Sequence, residues 1–450
     1  MSQSFDLIVI GTGSAGSTVA HRCRQAGWSV AIVDSRPFGG TCALRGCDPK
    51  KVLVGAAHAA DWVRRLQTEG IFTSDIHLDW PALMRFKRTF TDPVPANRLQ
   101  SFRKAGIEPF QGQARFVDET AVQVGGETLQ GRHVVIAAGA RPATLGIPGE
   151  EHLATSTDFL ALEHLPPRII FVGGGYISFE FAHVAARAGA AVRILQRGEQ
   201  PLKGFEPDLV ARLVASSRNQ GMEIHLHSEV QAIEKRGDEY VVLVRQEGTE
   251  RTFQADLVVH GAGRVAEIDD LNLDAAGVAW ERRGVTVNEY LQSVSNPAVY
   301  AAGDAAASGP PLTPVAGMEG GIVARNLLEG NRHTPRYQGI PSVVFTIPPL
   351  AGVGLTEPAA RAQGHRFQVK QEDTSSWYSS RRVKLKETGF KVLLEEDSER
   401  ILGAHLLGPE ADEVINLFAL AMRQELPASA LREQIYAYPT AASDISYMVS

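Results

Sequence analysis

Cys42 and Cys47 stand with four residues between them in the segment GGTCALRGCDPKK, which runs from Gly39 to Lys51. Two thiols at this spacing can hand two electrons to an acceptor and close on each other as a disulfide. The thiolate is the working form, so one of them needs a helix N-terminus or a cation beside it, and Lys50 follows closely. Asp48 acts the other way: a carboxylate next to Cys47 disfavours the thiolate unless it points away or pairs with Lys51. Arg45, inside the cysteine loop, can offset Asp48 or steer an anionic substrate. Just upstream lies GTGSAG (Gly11–Gly16), a glycine turn of the kind that cradles a dinucleotide pyrophosphate. Close cysteines opening a helix beside a nucleotide site suggest a redox-active disulfide fed by a flavin. The third cysteine, Cys23, is expected to pack inside the first helix as a small apolar side chain.

These residues need a scaffold, and the apolar pattern supplies one. Phe5–Ile10 reads as a strand ending at Gly11, followed by a helical stretch, Ser14–Gly27, and a second strand, Ser29–Val33, ending at Asp34. Strand, glycine turn, helix, strand and acid form a dinucleotide-binding unit. In it Gly11 permits the turn, Gly13 lets the backbone approach a pyrophosphate, and Gly16 lets helix and strand pack closely. Ser14 and Ala15 open the helix whose N-terminus favours the phosphates, and Asp34 can bond a ribose. The pattern recurs: Arg168–Val172 leads into Gly173, Gly174 and Gly175, a helical stretch to Gly189, then Ala190–Leu195. Here the strand ends in Gln196, with Arg197 next and Lys203 six residues on. Two cations and no acid suit a 2′-phosphate, so NADPH is expected over NADH.

His133–Ala137 and Ala298–Ala301 both end in alanine-glycine and are expected to return the chain to the first nucleotide domain. From about Pro341 the segments Ser342–Phe345, Gly389–Leu394 and Ile401–Leu407 read as a sheet. Glu410–Gln424 has helical spacing, with Val414, Leu417, Phe418 and Ala421 on one face. The expected fold is therefore α/β: two Rossmann-like dinucleotide-binding domains, the second inserted into the first, plus a C-terminal α+β part. The expected divisions are 1–148 and 269–338 for the first nucleotide-binding domain, 149–268 for the second and 339–450 for the C-terminal part.

The 450 residues carry a net charge of −6, with 21% charged and 44% hydrophobic side chains, so neither nucleic acid nor an anionic membrane is an expected partner. The early apolar run Leu7–Ile10 is too short to span a bilayer and has no basic leader, and three cysteines do not make a secreted scaffold. A cytoplasmic location is expected. His225-Leu226-His227 alternates as a strand would and reads as surface; no metal ligand set is expected.

The sequence resembles the FAD-dependent pyridine nucleotide–disulfide oxidoreductases, the family of glutathione reductase, dihydrolipoamide dehydrogenase and mercuric reductase. The likeness runs nearly end to end. It rests on GTGSAG, the cysteine segment, AAGARP (Ala137–Pro142), GGGYISFEFA (Gly173–Ala182), AAGD (Ala301–Asp304), LTPVA (Leu312–Ala316) and FTIPPLAGVGLTE (Phe345–Glu357). The resemblance implies that Cys47 sits against the flavin as the charge-transfer thiol and that Cys42 is the interchange thiol. It implies a Lys50–Glu180 pair beside the flavin N5, and Tyr176 as an aromatic lid over the nicotinamide site. Asp304 would bind the ribityl chain and Asp34 the adenosine ribose, with Thr313 near the flavin ring. Gly40, Thr41, Lys51, Ala114, Gly139 and Gly263 are implied as further flavin contacts, and Gly173, Gly175 and Ile177 as nicotinamide-nucleotide contacts. The resemblance further implies that 1–148 and 269–338 form an FAD-binding domain, 149–268 an NAD(P)H-binding domain and 339–450 an interface or dimerisation domain, and that the protein is a homodimer in which each active site is completed by the partner's C-terminal segment.

One segment departs from the family. Where disulfide reductases carry HPT-x-x-E, this chain has Tyr438-Pro439-Thr440-Ala441-Ala442-Ser443, with Tyr436 before it and Asp444 one place beyond the glutamate. A histidine titrating near ~6.5 both accepts and donates protons at neutral pH, whereas a tyrosine near ~10 is about a thousandth ionised there. Tyr438 is then a hydrogen-bond donor rather than a base. Gly321 and His21 stand where glutathione reductases bind glutathione through arginines, so ordinary oxidised glutathione is not the expected substrate. The expected enzyme is an NADPH-dependent reductase of another small disulfide. The alternatives are a reductase of a soft metal ion such as Hg(II), a quinone or another electrophile, and a flavoprotein redox sensor.

Overall fold

Glycine turns placed directly after buried apolar strands set the architecture. In the computed structural model, which describes residues 2–73 and 76–450, strand β1 spans Ser2–Ile10 and buries Leu7, Ile8, Val9 and Ile10. The turn follows at once: Gly11 has φ +107°, and a Cβ there would lie 2.2 Å from the Ala137 carbonyl oxygen, so no side chain fits. Helix α1 (Ser14–Gln25) buries Ala15, Val19, Ala20 and Cys23 on one face, which gives Cys23 the packing role expected of it. Strand β2 (Val30–Asp34) then pairs in parallel with β1. Both returning segments join this sheet: Glu127–Ile136 pairs in parallel with β1, and Val299–Ala301 pairs in parallel with Glu127–Ile136. The sheet has seven strands, extended by Glu108–Gln111 on one side and an antiparallel pair, Ala114–Phe116 and Ala121–Val124, on the other.

The chain divides into two compact units. The first comprises the residues up to Lys50, Arg85–Ala143 and Gly263–Tyr337, and the second comprises Lys51–Met84, Thr144–Ala262 and Gln338–Ser450. The second unit repeats the nucleotide-binding theme in a parallel four-stranded sheet ordered Glu223–His225, Ala191–Leu195, Arg168–Val172, Leu257–His260. It also carries a five-stranded antiparallel sheet, in which Ile401–Leu407 lies between Leu350–Gly354 and Gly389–Glu395. Against that sheet packs the helix Ala411–Arg423. Its buried side covers the expected Val414, Phe418 and Ala421, with Leu417 only partly covered, and widens to Ile415, Ala419 and Met422. This is the α/β class expected, with two parallel nucleotide-type sheets and a C-terminal α+β part. One local expectation fails: the strand ends at His225, and His227 turns the chain with φ +51°, so the two histidines do not alternate along one strand. Among the described residues no helix is long and apolar enough to cross a membrane.

Candidate active site

In the first unit the glycine turn and the cysteine loop are built against each other. Gly40 opens a short helix, α2 (Gly40–Arg45), with φ +74°, and a Cβ there would stand 2.5 Å from the Gly13 Cα. Backbone therefore lies on backbone where a pyrophosphate would be cradled. Thr12, not foreseen as a functional residue, fixes this corner. Its N–H and Oγ1 donate to Asp34 Oδ2 at 3.0 and 2.5 Å, and the Gly39 N–H donates to Thr12 Oγ1 at 3.0 Å. A threonine between two glycines of the turn, facing an acid at the next strand end, was the available signal. Asp304 follows Gly303 and is pushed above the usual carboxylate range by burial, with Arg264 acting in the opposite direction. Gly139 and Gly263 both hold positive φ in the turns that follow Ile136 and His260. Ala114 buries its side chain in the sheet, so only its backbone can meet a ligand.

Helix α3 (Cys47–Leu66) starts at Cys47, so this sulfur sits in the first turn, where unpaired N–H groups favour a negative charge. Both cysteines of the loop are free thiols, the reduced form of the pair. Cys47 is pulled down to about 6, chiefly by the hydrogen bond that Cys42 donates and then by Thr313 and Lys50, against burial and Asp48. Thr313 Oγ1 lies 3.4 Å from Cys47 Sγ. Cys42 moves the other way: its proton is held in the bond to Cys47, and burial and the Asp48 carboxylate push it further up. The pair is thus a thiolate with a protonated neighbour. Asp48 does not pair with Lys51. Its Oδ1 lies 3.8 Å from Cys42 Sγ, while Lys51 pairs with Asp412 at 3.0 Å and lies 3.8 Å over the Phe345 ring. That geometry places Lys51 in the second unit's own packing rather than against Asp48. Removing the carboxylate should ease ionisation of both thiols. In Asp48→Asn the thiolate absorbance of the reduced protein should titrate at lower pH than in wild type, and in Thr313→Val, which loses a donor, at higher pH.

Arg45 does not offset Asp48. Its charge faces Asp34, Glu267, Arg36 and Arg264 instead, because its side chain leaves α2 away from the sulfurs.

In the second unit Glu180 is fully buried on the helix Tyr176–Arg187, and its Oε1 accepts the Phe345 N–H at 2.9 Å. Tyr176, at the first position of that helix, is 48% exposed, and Ile177 next to it is half-buried. Gly173 and Gly175 lie so close to Gly261 and Ala262 that Cβ atoms would stand 2.5 Å from the Ala262 Cα and 3.2 Å from the Gly261 oxygen. Gln196 is spent on the turn: its Oε1 accepts the Gly174 N–H at 2.8 Å and its Nε2 donates to the Gln200 carbonyl at 3.2 Å. Arg197 and Lys203 are exposed.

In the C-terminal segment most polar groups near the departing motif are engaged within the chain, while Tyr438 stands open to solvent. Tyr438 is 80% exposed. Tyr436 donates to the Leu431 carbonyl at 2.9 Å, and Ser443 closes a capping box with Thr440. Asp444, one place beyond the glutamate's position, accepts the Ser379 hydroxyl and is raised by burial. Gly321 also has an occupant: the Arg22 guanidinium lies 3.3 Å from where its Cβ would be, and His21 stacks on Phe102.

A glycine turn at a helix N-terminus, a strand-end acid and a half-buried aspartate fit FAD in the first unit, and the second turn fits a nicotinamide dinucleotide. Comparison with known proteins agrees. Residues 5–320 match the pyridine nucleotide-disulphide oxidoreductase family and residues 340–449 its dimerisation domain. The chain is 31% identical to dihydrolipoyl dehydrogenase of Chlamydia muridarum, covering 98% of this chain and 95% of the relative. It is 31% identical to mercuric reductase of Staphylococcus aureus (98% and 81%) and to the chloroplastic/mitochondrial glutathione reductase of Pisum sativum (99% and 82%). Among solved structures it resembles the Cu(II) complex of the HOCl-induced flavoprotein disulfide reductase RclA from Escherichia coli, with TM-score 0.88 and 28% identity over 99% of each chain. The chain belongs to the pyridine nucleotide-disulphide oxidoreductases, flavoenzymes that work with FAD and a nicotinamide dinucleotide.

Proposed function

We propose that this enzyme uses NADPH to reduce a thiophilic cation of the Hg(II) or Cu(II) kind through Cys42 and Cys47. The observation that carries the reading is the Asp48 carboxylate 3.8 Å from the Cys42 sulfur. A negative charge at the interchange thiol attracts a cation and repels an anionic disulfide such as oxidised glutathione. Metal binding displaces the Cys42 proton directly, so the high proton affinity of that thiol is no obstacle and no histidine is needed to protonate a leaving thiolate. The engagement of Tyr436, Ser443 and Asp444 elsewhere supports the same conclusion. So do the mercuric reductase among the relatives and the copper complex among the similar structures.

Bound FAD supplies the two-electron link between the nicotinamide and the thiols. The chain's own contributions are the lowered Cys47 thiolate, Thr313 beside it, Lys50 as a nearby cation, Glu180 on its buried helix, Tyr176 as a lid and Asp48 as the entry charge. Tyr438, exposed and able to donate a hydrogen bond to a departing thiolate, favours a second reading, reduction of a neutral or cationic small disulfide.

Proton bookkeeping separates the two readings. Reduction of a divalent ion to the metal releases a proton (NADPH + M²⁺ → NADP⁺ + M⁰ + H⁺), and reduction of two Cu(II) to Cu(I) releases one likewise. Disulfide reduction consumes one (NADPH + RSSR + H⁺ → NADP⁺ + 2 RSH). In weakly buffered solution, turnover with Hg(II) or Cu(II) should acidify the medium with a rate that depends on Cys42. Rapid turnover only with disulfides, making the medium alkaline, would transfer the assignment to the second reading.

The preference for NADPH rests on Gln196, whose two polar atoms are committed, and on the exposed Arg197 and Lys203. Arg197→Glu should raise the KM for NADPH about ten-fold or more, the cost of losing one charge-assisted phosphate contact and adding a repulsion, while the KM for NADH changes little. Equal effects on both dinucleotides would remove Arg197 from the phosphate site.

A further inference from the structure

Arg36, Arg45 and Arg264 gather beside the first glycine turn with Asp34 and Glu267, the two acids that face Arg45, while Asp304 faces Arg264. Asp34 accepts from Thr12 on Oδ2 and from the Arg36 N–H, at 3.0 Å, on Oδ1. Glu267 pairs with the Arg36 guanidinium. Arg264 donates to the Ala140 carbonyl. Arg45 joins this group from within the cysteine loop, facing both acids and both other arginines, and its Nε is buried with no hydrogen-bond partner in the protein. A buried guanidinium nitrogen is rarely left unsatisfied. Burial and the neighbouring arginines also lower its pKa. Charge alone is balanced here, since Asp304 also faces Arg264; what the group leaves unmet is the buried Arg45 Nε, which an anion with acceptor oxygens would satisfy.

The position of that anion follows from α2. Arg45 lies one helical turn after Thr41, on the same face. The first residue of α2, Gly40, rests on Gly13, in the turn that leads to the N-terminus of the twelve-residue helix α1. A diphosphate belongs there. We propose that Arg45 is a ligand of the FAD diphosphate, so that the loop carrying the redox cysteines is tied to the cofactor by a side chain of its own. The inference rests on the flavoprotein family and not on the identity of the electron acceptor, so a negative acceptor assay leaves it standing.

The test compares wild type, Arg45→Gln and Arg45→Lys, each with and without FAD. Flavin release is followed by its fluorescence, and unfolding by thermal melting. Losing one charge-assisted bond should weaken FAD binding about ten-fold or more in Arg45→Gln and less in Arg45→Lys, with a shallower salt dependence in the glutamine variant. The apoproteins should melt alike. At saturating FAD, protection of Cys42 from iodoacetamide should be smaller in Arg45→Gln than in wild type. Unchanged FAD affinity would overturn the proposal. Equal losses of melting temperature with and without FAD would also overturn it, since they make Arg45 a purely structural cation. Full protection of Cys42 in the glutamine variant would remove the tie between cofactor and loop.

Discussion

Cys42→Ser should lower turnover with any acceptor on the order of 10³-fold or more, about 4 kcal/mol of barrier, while NADPH still bleaches the flavin once per site. The serine hydroxyl neither binds a soft metal nor attacks sulfur as a thiolate does, and it cannot close a disulfide on Cys47. Flavin reduction does not use Cys42, so stopped-flow bleaching at 450 nm by NADPH should keep its wild-type rate, as an order-of-magnitude expectation. A second signature follows from the geometry. Cys42 is the largest cause of the low Cys47 pKa, through the bond it donates. Serine can still donate at this position, so the Cys47 thiolate should persist in Cys42→Ser and shift to higher pH in Cys42→Ala. Substantial acceptor turnover in Cys42→Ser would mean that electrons leave the protein from the flavin itself.

Gly40→Ala should deplete the protein of flavin. The added Cβ lies 2.5 Å from the Gly13 Cα, a backbone atom of the turn, and neither backbone can yield without opening the phosphate cradle. The residue also holds φ +74°, which an alanine adopts at a penalty. Strain and overpacking together are expected to cost about 2–5 kcal/mol. Gly27→Ala separates the two contributions: Gly27 has φ +93° and nothing within 4 Å of a Cβ, so it carries strain without collision. The flavin-to-protein absorbance ratio should fall sharply for Gly40→Ala and stay at the wild-type value for Gly27→Ala. If both variants retain flavin fully, the contact of α2 with the glycine turn does not set the cradle.

The strands and glycine turns were legible in the sequence because they are local events. A buried apolar run ends where a glycine takes positive φ, and Gly11 and Gly173 follow Ile10 and Val172 directly. That the cysteines open a helix was legible too, but not that Gly46, with φ −144°, divides the segment into two helices and leaves Cys47 to start the second. Side-chain partners were not, because they are chosen by tertiary packing. Asp48 and Lys51, three residues apart on one helix, looked like a pair, yet Lys51 reaches Asp412, distant in sequence, and lies over Phe345. Asp444 stood one place from the missing glutamate, and Ser379 takes it instead. Arg45 lay between the cysteines in sequence, but α2 turns its side chain toward Asp34. The alternation of His225 and His227 failed at a left-handed residue, which a histidine adopts seldom and pattern does not reveal.

The two glycine turns are latched alike: Asp34 accepts the Thr12 N–H in the first and Gln196 accepts the Gly174 N–H in the second. The second latch bears on the history available to this enzyme. A glutamate at 196 keeps an oxygen for the Gly174 N–H and offers another to a ribose hydroxyl, giving up only the bond to the Gln200 carbonyl. Glutamine and glutamate codons differ by one base. On the proposed reading of Arg197 and Lys203 as phosphate contacts, one base change therefore adds an acid for a ribose hydroxyl with the turn intact, and loosens the choice of dinucleotide without reversing it.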